Sequence, residues 1–136
     1  NCTPAYVLRS AVEGATYALR YGLDELTALG LKVDKIILTG GGAKSPQWRQ
    51  IVADIFQLPI QILKIEEGAS FGAALQALWV LIREKDNNIK LDTIITDHLA
   101  VDEGKSSLPN LECKDIYNKG YSDYQNAVNQ ITPLFK

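Results

Sequence analysis

The 136-residue chain has no methionine, a single histidine and two cysteines, and each shortage removes a class of function. His98 stands in a polar stretch with no acid and nucleophile pattern around it, which argues against a catalytic triad built on it. Cys2 and Cys113 lack metal-ligand spacing, and two thiols so far apart in sequence are weak support for a disulfide. Zinc, EF-hand and nucleophile-elbow patterns are missing, as are internal repeats and low-complexity tracts. A net charge of −2 leaves no electrostatic footprint for nucleic acid or an anionic membrane. No apolar run is long enough to span a bilayer and no basic-then-apolar leader opens the chain, so a soluble, cytoplasmic protein is expected. The glycosylation pattern Asn1-Cys2-Thr3, with no secretion signal beside it, is expected to be a chance match. The missing initiator methionine leads us to expect a fragment of a longer protein.

With 46% hydrophobic and 22% charged residues, the chain has the make-up of one globular domain with one core. Thr3-Pro4 suits a helix cap and first turn, after which Leu8, Val12, Ala15, Leu19, Leu23 and Leu26 recur at helical spacing until Gly30. Residues 35–39 form a short apolar, β-branched run, the composition of a parallel strand covered on both faces. Gly40, Gly41 and Gly42 follow, where the loss of every Cβ permits positive φ and close approach to a ligand. Ser45 can cap the next helix and Pro46 fits its first turn, so the loop offers amide N–H groups beside a helix N-terminus, where anions are favoured. That arrangement reads as a nucleotide-binding turn. A tight strand-to-helix connection without a ligand would use the same residues.

The second helix gathers Trp48, Ile51, Val52, Ile55 and Phe56 on one face and stops at Leu58-Pro59, which makes Trp48 a core residue rather than a ligand platform. Residues 60–65 read as a second buried strand, followed by a turn at Glu66-Glu67-Gly68 and a third helix from about residue 69 to 85. Strand, helix, strand and helix in that order imply parallel pairing with a right-handed crossover. Residues 86–113 are a loop-rich excursion with at most a short helix or strand, and residues 114–135 form a terminal helix. Its stripe of Ile116, Tyr117, Tyr121, Tyr124, Val128 and Ile131 has the character of a packing face. The pairs Asp24-Glu25 and Glu66-Glu67 look like solvated element ends.

The order of Leu38-Thr39-Gly40-Gly41-Gly42-Ala43-Lys44-Ser45-Pro46-Gln47-Trp48-Arg49-Gln50, the Ala53-Asp54 pair, Pro59-Ile60 and Glu67-Gly68-Ala69-Ser70-Phe71-Gly72-Ala73-Ala74 closely resembles the C-terminal part of the FGGY carbohydrate kinases. Within that family the chain looks most like the xylulokinases. The likeness covers residues 3–81 well and the tail loosely.

The resemblance implies an α/β fold, the C-terminal lobe of the actin-like, ribonuclease H-like ATPases, incomplete, with two parallel strands and flanking helices. It makes the whole chain, residues 1–136, part of the nucleotide-binding domain of an enzyme that transfers the γ-phosphate of ATP to a sugar hydroxyl, with D-xylulose as the expected acceptor. Gly40, Gly41, Gly42 and Ala43 would supply backbone donors and clearance near ribose and phosphate, and Ser45 and Gln47 would reach the base or sugar edge. The family's catalytic aspartate and its Asp-Gly-Thr loop have no counterpart here, and Asp54 sits among apolar neighbours. The chain therefore offers no catalytic residue and no metal ligand, and Mg2+ would be held mainly by the missing N-terminal lobe. Small residues Ala69, Gly72, Ala73 and Ala77 resemble the family's lobe-interface segment, although tight packing within one domain would use them equally. Expected partners are ATP, a small sugar, the missing lobe and a second copy covering exposed strand edges. A non-catalytic actin-like nucleotide-binding or interaction module is the other class that fits these residues.

Overall fold

The computed structural model describes residues 2–65 and 68–135. Helix α1 (Pro4–Ala28) starts where Thr3 Oγ1 accepts from the Tyr6 amide and Pro4 fills the first turn, and it is followed by Gly30 at φ +98°. Strand β1 (Ile36–Ile37) leads through a 3-10 turn (Gly41–Lys44) into α2 (Pro46–Phe56). Gln57, in the left-handed region at φ +54°, closes α2 and donates its side-chain N–H to the Asp54 carbonyl at 2.7 Å. Strand β2 (Ile60–Gln61) then runs parallel to β1, with Ile36 opposite Ile60 and Ile37 opposite Gln61. Helices α3 (Gly68–Arg83), α4 (Leu91–His98) and α5 (Lys114–Ile131) follow, with 3-10 turns at Glu103–Lys105, Leu111–Cys113 and Thr132–Phe135. Among the described residues no helix is long and apolar enough to cross a membrane, and Cys2 and Cys113 are free thiols.

Helix α2 is the centre of the molecule. Ile51 and Ile55 join Tyr17, Tyr117 and Tyr121 in one cluster between α1, α2 and α5, while Val52 and Ala53 join Ala43, Ile60 and Ile62 in a second cluster against the sheet. The tyrosine stripe is thus a packing face, with Tyr17 lying 6.0 Å, ring to ring, from both Tyr121 and Tyr124. Ile116 and Ile131, at the ends of the stripe, remain exposed. A separate pair, α3 and α4, pack against each other and each bury one side chain, Leu75 and Ile94, and Trp79 closes the turn between them by donating to the Ile89 carbonyl at 3.0 Å.

Several expectations are corrected. Both strands are shorter than residues 35–39 and 60–65, and β1 is not covered on both faces, since Ile37 is 42% exposed. The outer edge of β2 is not bare: Ile60 and Ser107 exchange both backbone hydrogen bonds at 2.8 and 2.9 Å, and Asp102 N–H donates to the Ile62 carbonyl at 2.7 Å. Residues 100–107 therefore cover that edge from within the chain, and only the far edge of β1 lacks a partner strand among the described residues.

The apolar stripe of α1 does not face the core: Leu8, Leu19 and Leu26 are 70%, 53% and 50% exposed. The packed face is the polar one, with Thr16 and Tyr17 buried and Arg20 donating to the Ile55 carbonyl and to Asn118 Oδ1 while its guanidinium lies 4.2 Å above the Tyr121 ring. Asp24 is likewise more than a solvated helix end, because the Tyr121 hydroxyl donates to it at 2.6 Å. The Glu66-Glu67 pair, the turn it was expected to form, and Asn1 lie outside the described residues.

The tyrosine layer is expected to limit stability at alkaline pH. Burial, aided by Glu13, pushes the Tyr17 phenol up to about 12, and burial also raises Tyr117 and Tyr121. Unfolded tyrosines ionise near pH 10, so above that pH the unfolded state sheds protons first and stability falls. Urea melts should show stability flat up to about pH 10 and falling from there towards about pH 12, with a shallower fall in Tyr17→Phe. A second expectation concerns Asp54, whose Oδ1 accepts from Gln50 Nε2 at 2.8 Å and from the Asn110 amide at 2.7 Å. Asp54→Ala strands that amide and should cost about 1–3 kcal/mol in chemical denaturation.

Candidate functional site

The glycine loop sits at the carboxyl end of β1, where the chain must leave the sheet and enter α2. Gly40 does this with φ +87°, a backbone geometry that a side chain disfavours. Gly41 and Gly42 do not take positive φ, so of the three glycines only Gly40 bears out the conformational expectation. Gly42 is required for a different reason. A Cβ at that position would stand 2.7 Å from Trp48 Cε3 and overlap the neighbouring ring carbon. Trp48 in turn donates its indole N–H to Thr16 Oγ1 at 3.1 Å, and Thr16 donates to the Val12 carbonyl at 2.8 Å. The loop is therefore seated on an indole ring that is tied to α1.

Within the turn, the Ala43 amide donates to the Gly40 carbonyl at 3.1 Å and the Ser45 amide to the Gly42 carbonyl at 3.0 Å. Ala43 is consequently not a free backbone donor, which corrects that part of the expectation. The Gly41 and Gly42 amides donate to no described residue. Ser45 caps α2, its hydroxyl oxygen accepting from the Trp48 amide at 3.3 Å while its O–H donates to Gln47 Oε1 at 3.2 Å. Arg49, one turn further on, donates from Nη1 to the Ala43 carbonyl at 2.8 Å.

Beside the loop lies a cavity of about 200 Å³. Leu38, Ile62, Leu63 and Ile65 supply apolar walls, Thr39, Gly40 and Ala43 the backbone side, and Lys44, Arg49 and Lys105 three cationic side chains. Of the residues singled out from sequence, Gly40 and Ala43 line this cavity. Gly41, Gly42, Ser45 and Gln47 do not line it. Sequence reasoning missed Arg49 and the contribution of Lys105, which comes from the distant excursion. The pattern Trp48-Arg49 one turn after a capped loop was the only available signal. His98 stays apart from this site, its Nδ1 2.9 Å from the Ile94 carbonyl. Among the described residues no group of three His, Cys, Asp or Glu side chains is placed to hold a metal.

A second hollow, about 450 Å³, runs between α3 and α4. Ala69, Gly72 and Ala73 line it, and a Cβ added at Gly72 would meet nothing within 4 Å. The small residues thus face an open groove rather than a tight contact inside the described fold.

Comparison with known proteins agrees with this architecture. Residues 1–81 match the family model described as the FGGY family of carbohydrate kinases, C-terminal domain. The chain is 36% identical over 131 residues to a xylulose kinase from Haemophilus influenzae, covering 96% of this chain and 26% of that protein. It superposes on the crystal structure of a xylulose kinase from Rhodospirillum rubrum with a TM-score of 0.81 at 24% identity, over 99% of this chain and 26% of that one. A gluconate kinase from Lactobacillus acidophilus gives a TM-score of 0.78 at 24% identity, over 96% and 26% of the two chains. The chain thus spans about a quarter of the length of these relatives. Its fold is that of part of the C-terminal lobe of the actin-like ATPases, with two parallel strands and flanking helices.

The seating of the loop on Trp48 distinguishes its glycines. Gly42→Ala forces the indole to shift and should destabilise the fold by about 1–3 kcal/mol. Gly41→Ala, whose Cβ meets nothing within 4 Å, should stay within about 0.5 kcal/mol of the parent in the same denaturation experiment.

Proposed function

This chain belongs to the FGGY family of carbohydrate kinases, and from that premise we propose that it forms the nucleotide side of an ATP-dependent sugar kinase. The observation that carries the reading is the family match across residues 1–81, a span that includes the glycine loop and the residues lining the adjoining cavity apart from Lys105. Apolar walls beside cationic side chains suit a ligand with a flat, weakly polar ring at one end and phosphates at the other. In this reading the Gly40 turn gives backbone clearance and the Gly41 and Gly42 amides are hydrogen-bond donors to the ligand. Ser45 and Gln47, hydrogen-bonded to each other and outside the cavity lining, would meet the ribose edge of a ligand whose ring lies in the cavity.

The reaction is attack of a sugar hydroxyl oxygen on the γ-phosphorus of ATP, with cleavage of the bond to the β-phosphate oxygen and loss of the hydroxyl proton to a base. Mg2+ supplies charge neutralisation on the phosphates. This chain's part is to bind and orient the nucleotide, because its buried Asp54 already accepts two hydrogen bonds and lies in α2. The base, the sugar contacts and the main metal contacts belong to the region equivalent to the rest of the relatives' length. D-Xylulose is the preferred acceptor in the reading, on the strength of the relatives' identities. The protein works in the cytoplasm, and the edge of β1 that has no partner strand among the described residues would be covered by further chain of the same protein or by a second copy.

The test is an ADP-release assay with MgATP on the protein that carries this chain, supplied in turn with D-xylulose, D-gluconate and L-fuculose. The highest kcat/KM is expected with D-xylulose. Preference for another sugar would replace the acceptor. No sugar-dependent release, together with no saturable ADP binding by calorimetry, would overturn the kinase reading.

A further inference from the structure

Arg49 is 8% exposed, yet among the described residues the only hydrogen bond of its side chain runs from Nη1 to the Ala43 carbonyl, its Nε is buried without a partner, and no carboxylate pairs with it. Arginines are rarely buried to this degree without an anionic partner, because removing the cation from water is costly unless charge and hydrogen bonds are restored. Arg49 also lines the loop cavity, together with Gly40 and Ala43. A permanent cation that is buried, has no anionic partner among the described residues and lies beside a cavity has its natural complement in an anionic ligand.

We infer that Arg49 is the loop-positioning and charge-complementing residue of the nucleotide site. This rests on the nucleotide reading above and names which residue of α2 responds to the phosphates. Its hydrogen bond to the Ala43 carbonyl fixes the turn that Gly40 and Gly42 begin, and its charge is compensated when the phosphates of a bound nucleoside diphosphate or triphosphate enter the cavity. Two separable roles follow. The hydrogen bond supports the shape of the loop and serves adenosine and ADP alike. The charge acts on phosphate alone, so it discriminates ADP from adenosine.

The experiment compares ADP and adenosine binding by calorimetry in the intact protein that carries this chain, in the parent, in Arg49→Gln and in Arg49→Lys, with thermal melts alongside. Gln, two bonds shorter, removes both the charge and the bond to Ala43, so a loss shared by adenosine and ADP reports the bond and any excess loss of ADP reports the charge, whereas Lys keeps the charge. Arg49→Gln should weaken ADP by about tenfold or more, the worth of one charge-assisted hydrogen bond, while adenosine shifts by less than about threefold. Arg49→Lys should hold ADP affinity within about threefold of the parent. Equal weakening of ADP and adenosine in Arg49→Gln, or ADP binding indifferent to both substitutions, would overturn the inference while leaving the nucleotide reading in place. A parent protein that binds neither ligand would overturn the reading itself. If Arg49→Gln fails to fold, Arg49→Lys decides: ADP weakened about tenfold in a variant that retains the charge would also sink the proposal.

Discussion

Everything in this structure depends on α2 being buried on two sides at once. Ile55 is fully buried against the tyrosine layer and Val52 and Ala53 are closed off against the sheet, so the helix has no freedom to slide or rotate without opening one cluster. A helix fixed in this way also fixes its own first turn. From that turn Ser45 holds the Trp48 amide, Trp48 fills the space left by the absent Gly42 side chain, and Arg49 reaches back to the Ala43 carbonyl. The conformation of the glycine loop is therefore set by core packing one to two turns away. This is the usual way for a rigid element to present a flexible-looking loop in one geometry.

The polar contacts between α1 and α5 are the second requirement. Arg9 donates to the Tyr117 hydroxyl, Arg20 bridges the end of α2 and Asn118, and Tyr121 donates to Asp24. These interactions use the polar face of α1, so the leucine stripe on its other side stays in solvent together with the unpaired edge of β1. The relatives, about four times as long, have ample further chain to cover such a stripe and edge.

Local chemistry was readable from sequence. Thr3-Pro4 and Ser45-Pro46 act as helix starts because capping depends on a few adjacent residues, and the tyrosine stripe of α5 packs as its spacing implies. The order of motifs from Leu38 to Ala74 disclosed the family, because several short patterns in one sequence are far more specific than a glycine triplet alone. What escaped notice was set by distant partners. The clash that demands Gly42 involves a ring six residues on, whose position depends on Thr16. The choice of the polar face of α1 rests on Arg20, Asn118 and Tyr121, and periodicity cannot foresee which of two faces finds a partner. Residues 100–107 pair with β2 although they carry no strand pattern, since their contribution is backbone hydrogen bonding at single bridges. The Asp54 contact to Asn110 joins positions 56 residues apart.

The central claim is that a loop seated by α2 receives a nucleotide on its free amides and in the adjoining cavity. Hydrogen–deuterium exchange of the protein with and without MgADP tests it most directly, read at the amides of residues 38–45. The account predicts slowed exchange at Gly41 and Gly42, whose N–H groups have no described partner, with little change at Ala43 and Ser45, which are already hydrogen-bonded. Nucleotide binding that leaves Gly41 and Gly42 exchanging at the free rate would contradict it, and would move the ligand to another part of the surface.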